Sequence, residues 1–226
     1  MIKKTPVISV LMATHNSEST IRESIESILS QKYKNFEFLI LDDSSSDNTL
    51  SIIKSYQKID ERIIVFENKK NIGLTKSLNI LIEKSRGDYL ARQDADDVSS
   101  EQRLEKQLNF CLDKNIEVVV SRAINMSNGK KIPNFSYYIP YKFLIKFKNP
   151  FVHGTLFIKK ELIINIGGYN EEYYYAQDYK LFIDLIKRKE KIAKIWDPLY
   201  LLNTQDNISN KFKEEQKNYA NKARKN

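Results

Sequence analysis

Cysteine is almost missing from this chain. Cys111 is the single one in 226 residues, which excludes an internal disulfide framework and a Cys-x-x-Cys zinc site and fits reducing surroundings. Long apolar runs are missing too. The stretch 7–13 is too short to cross a bilayer, is interrupted by Ser9, and runs straight into polar residues, so it reads as a strand rather than a targeting peptide. No other stretch approaches about 18 apolar residues. The expectation is a cytoplasmic protein. Internal repeats, low-complexity linkers and a clean domain boundary are also absent, which favours one domain over residues 1–226.

What is present suits a soluble globular protein. A chain of this length buries a substantial core without cross-links, and 41% hydrophobic residues is ordinary for it. The formal charge is +8, and residues 211–226 hold six basic side chains (Lys211, Lys213, Lys217, Lys222, Arg224 and Lys225) against Glu214 and Glu215. Such a tail suits peripheral contact with anionic lipid at the inner face of a membrane, or nucleic acid, or is a solvated, frayed helix; charge alone does not choose.

Strand and helix patterns alternate through the first 120 residues. Strands are predicted at 7–13, 36–41, 63–66, 89–92 and 118–121. Between them lie helices at 20–31, with Ile21, Ile25, Ile28 and Leu29 on one face; 47–58, with Leu50, Ile53 and Ile52 inward; and 74–84, with Leu74, Leu78, Leu81 and Ile82. Ser99 and Gln102 have capping-box spacing ahead of a helix bearing Leu104, Leu108 and Cys111. This rhythm predicts an α/β fold with a mostly parallel central sheet flanked by helices, a Rossmann-like nucleotide half over about 1–122. The rhythm breaks beyond 122. A smaller acceptor half over about 123–205 has strands expected at 155–158, 192–196 and 200–202 and helices at 161–166 and 178–187, ahead of the basic tail 206–226.

Ligands of open α/β sheets bind beyond the carboxyl ends of the strands, and three polar clusters fall there: Thr14-His15-Asn16, Asp42-Asp43-Ser44-Ser45-Ser46-Asp47, and Asp94-Ala95-Asp96-Asp97. Ser46 and Asp47 alone read as helix caps. Three carboxylates within four residues repel one another, and a cation or basic partners would make that crowding favourable. Oxygen ligands on a short loop suit Mg²⁺ or Mn²⁺, which share their coordination with substrate phosphates.

The strings Ile8-Ser9-Val10-Leu11-Met12-Ala13-Thr14-His15-Asn16, Leu41-Asp42-Asp43-Ser44-Ser45, Asn71-Ile72-Gly73-Leu74, Gly87 to Asp97, and Arg103-Leu104-Glu105-Lys106-Gln107 together resemble the family 2 glycosyltransferases, inverting enzymes of the A-type nucleotide-diphospho-sugar transferase fold. The resemblance is dense over about 6–125 and thinner over 150–188. It implies that Ala13, Thr14, His15 and Asn16 line the nucleotide and that Asp43 meets the base edge, as in uridine-specific members. It implies that Asn71, Gly73, Lys76 and Asn79 flank the nucleotide or its phosphates, with Lys76 supplying charge. Asp94, Ala95 and Asp96 match the family's Asp-x-Asp element; Asp96 would ligate Mn²⁺ or Mg²⁺, and Asp94 would reach the ribose or metal-bound water.

The same likeness implies a general base at the start of a late helix, where Gln177-Asp178-Tyr179 places Asp178; an acid capping that helix is the alternative reading. Many relatives have Glu-Asp there, so Gln177 is a departure that leaves Asp178 the only acid of the motif. His153 and Tyr169 would lie near the acceptor or the diphosphate, and Tyr169 and the tyrosines at 173–175 would stack on an acceptor sugar or belong to the core. The Gln-x-x-Arg-Trp motif of the family's processive polymerases is absent. The implied function is transfer of one sugar from a nucleotide-sugar donor, a UDP-sugar, to a saccharide or lipid-linked saccharide in surface-glycan biosynthesis (lipooligosaccharide, capsule or O-antigen), with no nucleic-acid partner. A sugar-phosphate nucleotidyltransferase is opposed by residues 14–19, which have neither Gly nor Lys for a phosphate loop. A basic nucleic-acid-binding domain is opposed by carboxylates that would repel a phosphate backbone.

Overall fold

The computed structural model of the chain describes residues 6–204 and 212–225. Its strands are β1 (Ile8–Thr14), β2 (Phe36–Asp42), β3 (Ile63–Glu67), β4 (Tyr89–Arg92), β5 (Val98–Ser99), β6 (Val118–Asn125), β7 (Lys131–Ile132), β8 (Phe157–Lys159) and β9 (Ile192–Leu202). They form one sheet in the order β3-β2-β1-β4-β8-β6-β9-β5, with β7 beside β6. The first four strands pair in parallel, with Thr14 opposite Asp42, Asp42 opposite Glu67 and Leu11 opposite Arg92. Beyond β4 the sheet is mixed: β8 is antiparallel to both β4 and β6, whereas β9 runs parallel to β6.

Every residue of β1 and β2 is buried, as expected for parallel strands covered on both faces. Ile8, Val10 and Met12 point toward helices α1 (Ile21–Leu29), α2 (Thr49–Gln57) and α4 (Arg103–Lys114), which supply Ile21, Ile25, Ile28, Ile52, Ile53, Leu104, Leu108 and Cys111. Burial pushes the Cys111 thiol up to about 12, so it is inert filling. Leu11 and Ala13 face the opposite layer, built from α3 (Leu74–Lys84), α6 (Lys160–Asn165) and α7 (Gln177–Lys187), after the short helix α5 (Tyr141–Leu144).

Three expectations change. Ser99 is not a helix cap: it lies in β5, and α4 begins at Arg103 without a side-chain cap. The Ser99 hydroxyl is drawn inward because it donates to the buried Gln93 (2.7 Å) and accepts from Arg103 (2.9 Å). The two late strands are one, β9, whose register against β6 jumps from Ser121↔Ile195 to Arg122↔Pro198. A bulge there absorbs Trp196 and Asp197 at a proline that has no N–H for the ladder. Lastly, much of the basic tail is a docked helix, α8 (Lys213–Lys225), which buries Ala223 and packs Tyr219 against Tyr173 and Tyr175. Lys211 and the start of the tail lie outside the described residues, as do residues 1–5. No helix of the described residues is long and apolar enough to cross a membrane.

Candidate active site

The chain runs from β1 to β2 and β3 on one side and then returns to place β4 on the other, so a topological switch point lies between the carboxyl ends of β1 and β4. A crevice opens at such a point in α/β sheets. On the β1 side, Asn16 takes a left-handed conformation (φ 51), and its carboxamide oxygen accepts from the Ser46 N–H at 2.8 Å. Its own N–H donates to the Ser45 hydroxyl at 2.9 Å. His15 Nδ1 meets the Asp43 carbonyl at 2.9 Å, and the Thr14 carbonyl accepts from the Asp43 N–H at 2.8 Å. Ala13 and Thr14 are buried, whereas the tips of His15 and Asn16 are exposed, so the two strand-end loops act as one wall.

Asp43 has structural work that its sequence position did not reveal. Its carboxylate accepts from Asn68 Nδ2 (2.7 Å), the Ile72 N–H (3.0 Å) and the Gly73 N–H (2.8 Å), closing the 68–73 loop over the wall. Oδ1 takes two of these bonds and Oδ2 one, so a lone-pair direction on Oδ2 stays available. Gly73 sits at φ 88, and a Cβ there would lie 2.7 Å from the Tyr174 ring, which is why glycine stands at the start of α3. Asn71 is exposed, and its side-chain oxygen accepts from the Gly73 N–H at 3.1 Å. Lys76 is exposed in the first turn of α3, with no ion-pair partner among the described residues. Asn79 departs from the role the resemblance implies. Both donors of its amide are committed, to the Tyr169 carbonyl (2.9 Å) and Glu171 Oε1 (3.1 Å), and its oxygen accepts from the Tyr169 N–H (2.9 Å). It clamps the Gly168-Tyr169 turn and has no N–H left for a phosphate.

The loop after β4 is held by a buried polar network. Gln93, wholly buried, donates to Ser24 Oγ (2.9 Å) and to the Asp97 carbonyl (2.8 Å), and accepts from Ser99 and Arg103. Arg103, also wholly buried, donates to the Arg92 carbonyl (2.6 Å) and to Gln107 Oε1 (3.0 Å) and lies over the Tyr200 ring at 4.9 Å. Gln107 in turn donates to the Thr155 carbonyl at 2.8 Å, and the Tyr200 hydroxyl accepts from the Asp94 N–H at 3.0 Å. Removing one member of such a network leaves buried partners unsatisfied, at about 1–3 kcal/mol for each neutral group. None of Gln93, Arg92, Arg103 or Tyr200 stood out in the sequence as a site residue, although Arg103 and Gln107, four apart on one helix face, were a signal.

Within this frame the acids divide. Asp94 is ion-paired to the buried Arg92. Asp97, 1% exposed, accepts from the Asn203 N–H at 2.7 Å; burial, then Asp94 and Asp96, hold its carboxyl well above the usual carboxylate range. Asp96 receives no hydrogen bond from another residue among those described, and burial together with Asp94 pushes its carboxyl up to about 6. A half-buried carboxylate beside a second acid and without a partner suits a divalent cation. Among the described residues no three His, Cys, Asp or Glu side chains gather as a complete cage, so such a cation would need further ligands from phosphate oxygens, the habit of Mg²⁺ and its relatives.

Gly154 connects this loop to the acceptor half. A Cβ there would fall on the hydroxyl and ring of Tyr200. Gly154→Ala is therefore expected to cost about 1–3 kcal/mol by overpacking, read as a lower urea midpoint, and to disturb the Asp94 backbone through Tyr200.

Across the crevice, α7 begins after Ala176, held left-handed at φ 54, so Asp178 is one residue inside the helix and does not cap it. Its Oδ2 accepts from Asn149 Nδ2 at 2.7 Å. His153 opens a 3-10 turn, and its Nε2 pairs with the Tyr169 hydroxyl at 2.7 Å. Burial, then Arg92, lower the His153 pKa, while Asp178 and Asp94 act on it in the opposite sense. The same three charged groups act on Tyr169, whose pKa burial raises. The His153–Tyr169 pair thus lies within electrostatic reach of both Asp94 and Asp178. Tyr169 itself is 3% exposed and its ring is core, so it offers no face to a sugar; Tyr173 is likewise buried, and of the three tyrosines at 173–175, Tyr174 is the most exposed.

A parallel nucleotide half with this crevice, joined to a mixed second half, is the A-type glycosyltransferase fold. Staphylococcus aureus TarS, solved as residues 1–349 in complex with UDP-GlcNAc, matches with a TM-score of 0.76 over 88% of this chain and 59% of that one, at 22% identity. The model of glycosyl transferase family 2 matches residues 9–167, and the chain belongs to that family. The putative glycosyltransferase EpsE of Bacillus subtilis is 38% identical over 172 residues, covering 73% of this chain and 60% of that protein. The O-antigen biosynthesis glycosyltransferase WbnJ of Escherichia coli is 34% identical over 203 residues, covering 85% and 76%.

Proposed function

We propose that the chain transfers a single sugar from a nucleotide-sugar donor, a UDP-sugar, to a hydroxyl of a saccharide or lipid-linked saccharide, with inversion, in the building of a surface glycan. The observation that carries this reading is the gathering of two sets of acids around one buried pair: Asp94, ion-paired to Arg92 at the end of β4 with Asp96 beside it, and Asp178 at the start of α7, with Asp94 and Asp178 both acting electrostatically on His153 and Tyr169. Family membership supports the reaction class. WbnJ, named for O-antigen biosynthesis, supports the glycan context, and TarS with UDP-GlcNAc supports the donor base.

In this reading the wall made by Thr14 to Asn16 holds the nucleoside, and the open lone pair of Asp43 Oδ2 accepts from the ring N–H of a uracil. Lys76 faces phosphate charge. Asp96, helped by Asp94, would hold Mn²⁺ or Mg²⁺; bound there, such an ion supplies Lewis-acid neutralisation of the charge on the departing diphosphate. Asp178 takes the proton of the acceptor hydroxyl as its oxygen bonds to the anomeric carbon and the bond from that carbon to the diphosphate oxygen breaks. Asn149 orients that carboxylate. A lipid-linked acceptor would bring the protein to the cytoplasmic face of a membrane, where the exposed Lys213, Lys217 and Lys225 of α8 suit anionic headgroups. The donor is tested by thermal shift against UDP, GDP, CDP and dTDP with Mn²⁺: UDP is expected to stabilise most, and a larger gain with GDP would overturn the uridine assignment.

A further inference from the structure

A cavity of about 380 Å³ lies between the β6–β7 hairpin and the 148–152 segment, lined among others by Lys130, Lys131, Lys148 and Asn149. No acid lines it, and none of the three lysines has an ion-pair partner among the described residues, whereas Lys54, Lys106, Lys159, Lys180 and Lys222 are paired with carboxylates. Asn149 joins this cavity to the reaction centre, since its amide donates to Asp178 at 2.7 Å. An uncompensated cationic hollow one side chain away from the candidate base is built to recruit negative charge.

We propose that this cavity seats an anionic group of the acceptor, a sugar carboxylate or a diphosphate, close to the sugar whose hydroxyl is glycosylated. The inference rests on the transferase reading and narrows its acceptor to a negatively charged glycan. Lys130, Lys131 and Lys148 supply the attraction as solvent-facing point charges, so the preference is salt-sensitive. Asn149 couples occupancy of the cavity to the orientation of Asp178.

The test uses the full chain saturated with UDP and Mn²⁺, so that diphosphate probes do not enter the donor site. The wild type is compared with the triple variant Lys130→Gln, Lys131→Gln, Lys148→Gln, whose substitutions are all at exposed positions. Binding is measured by titration calorimetry for two pairs of probes: a uronic-acid tetrasaccharide against its methyl-esterified neutral form, and a prenyl-diphosphate-linked N-acetylglucosamine against free N-acetylglucosamine. The expected result is at least tenfold tighter binding of one anionic probe than of its neutral partner. That preference should be lost in the triple variant, while UDP affinity stays within about twofold. The probe that carries the preference identifies the source of the charge. Equal binding of charged and neutral probes, or a preference that survives the triple substitution, overturns the proposal. A wild type that ignores every nucleotide yet keeps the lysine-dependent preference supports the anion seat and instead overturns the transferase reading.

Discussion

Asp178→Asn is expected to lower turnover by roughly 10²–10⁴-fold while leaving UDP affinity unchanged. The substitution is nearly isosteric, and the new amide oxygen can still accept from Asn149, so the start of α7 keeps its geometry. What is lost is a group able to take the acceptor proton. Asp178 also stands in the first turn of α7, where a negative charge is worth about 0.3–1 kcal/mol, so only a small fall in stability accompanies the loss. A purely structural role, in which the Asp178 charge only favours the first turn of α7, makes a different forecast: stability falls and turnover does not. Single-turnover rates with saturating donor separate the two, and a variant within about threefold of the wild-type rate would place the base elsewhere.

The first half was legible because each of its strands and helices carries its own apolar pattern. The helix 74–84 and the strand 89–92 keep the bounds that the apolar periodicity predicts, since Gly73 opens the one and the buried Leu90 and Ala91 define the other. The second half was less legible because turns and strand pairing, rather than apolar periodicity, set its strand ends. The Thr155 hydroxyl bonds the Val152 carbonyl within a turn, so β8 begins at Phe157 rather than at 155. Pro198 hid the continuity of β9, which only pairing with β6 reveals.

The site followed the same division. The acids at the strand ends could be read from their spacing. What fixes them could not: Tyr200 reaches Asp94 across 106 positions, and Asn149 reaches Asp178 across 29. The family resemblance alone points to Asn79 and Tyr169 as ligand contacts. Hydrogen bonds to Tyr169 and Glu171 occupy the Asn79 amide instead, and burial places the Tyr169 ring in the core.

In the proposed reading, Asp96 lacks a partner among the described residues because a divalent cation would take that place beneath a diphosphate. Burial, and then the neighbouring Asp94, push its carboxyl up to about 6, above its ordinary value. A carboxylate shifted upward on folding contributes least once it is ionised, so the metal-free protein loses this stability as pH rises from about 4 to 6. A cation needs the ionised form, so its effect should fade as pH falls below about 6. Occupancy at about 100 times Kd adds about 2.7 kcal/mol, which for a chain of this size is roughly 5–10 °C in Tm. The most direct measurement is the thermal shift produced by UDP with and without Mn²⁺ at pH 7.5, in the wild type and in Asp96→Ala. A gain of that size is expected in the wild type only when both ligands are present, with little or none in the variant. A UDP gain that is the same without metal, or that survives Asp96→Ala, would contradict it.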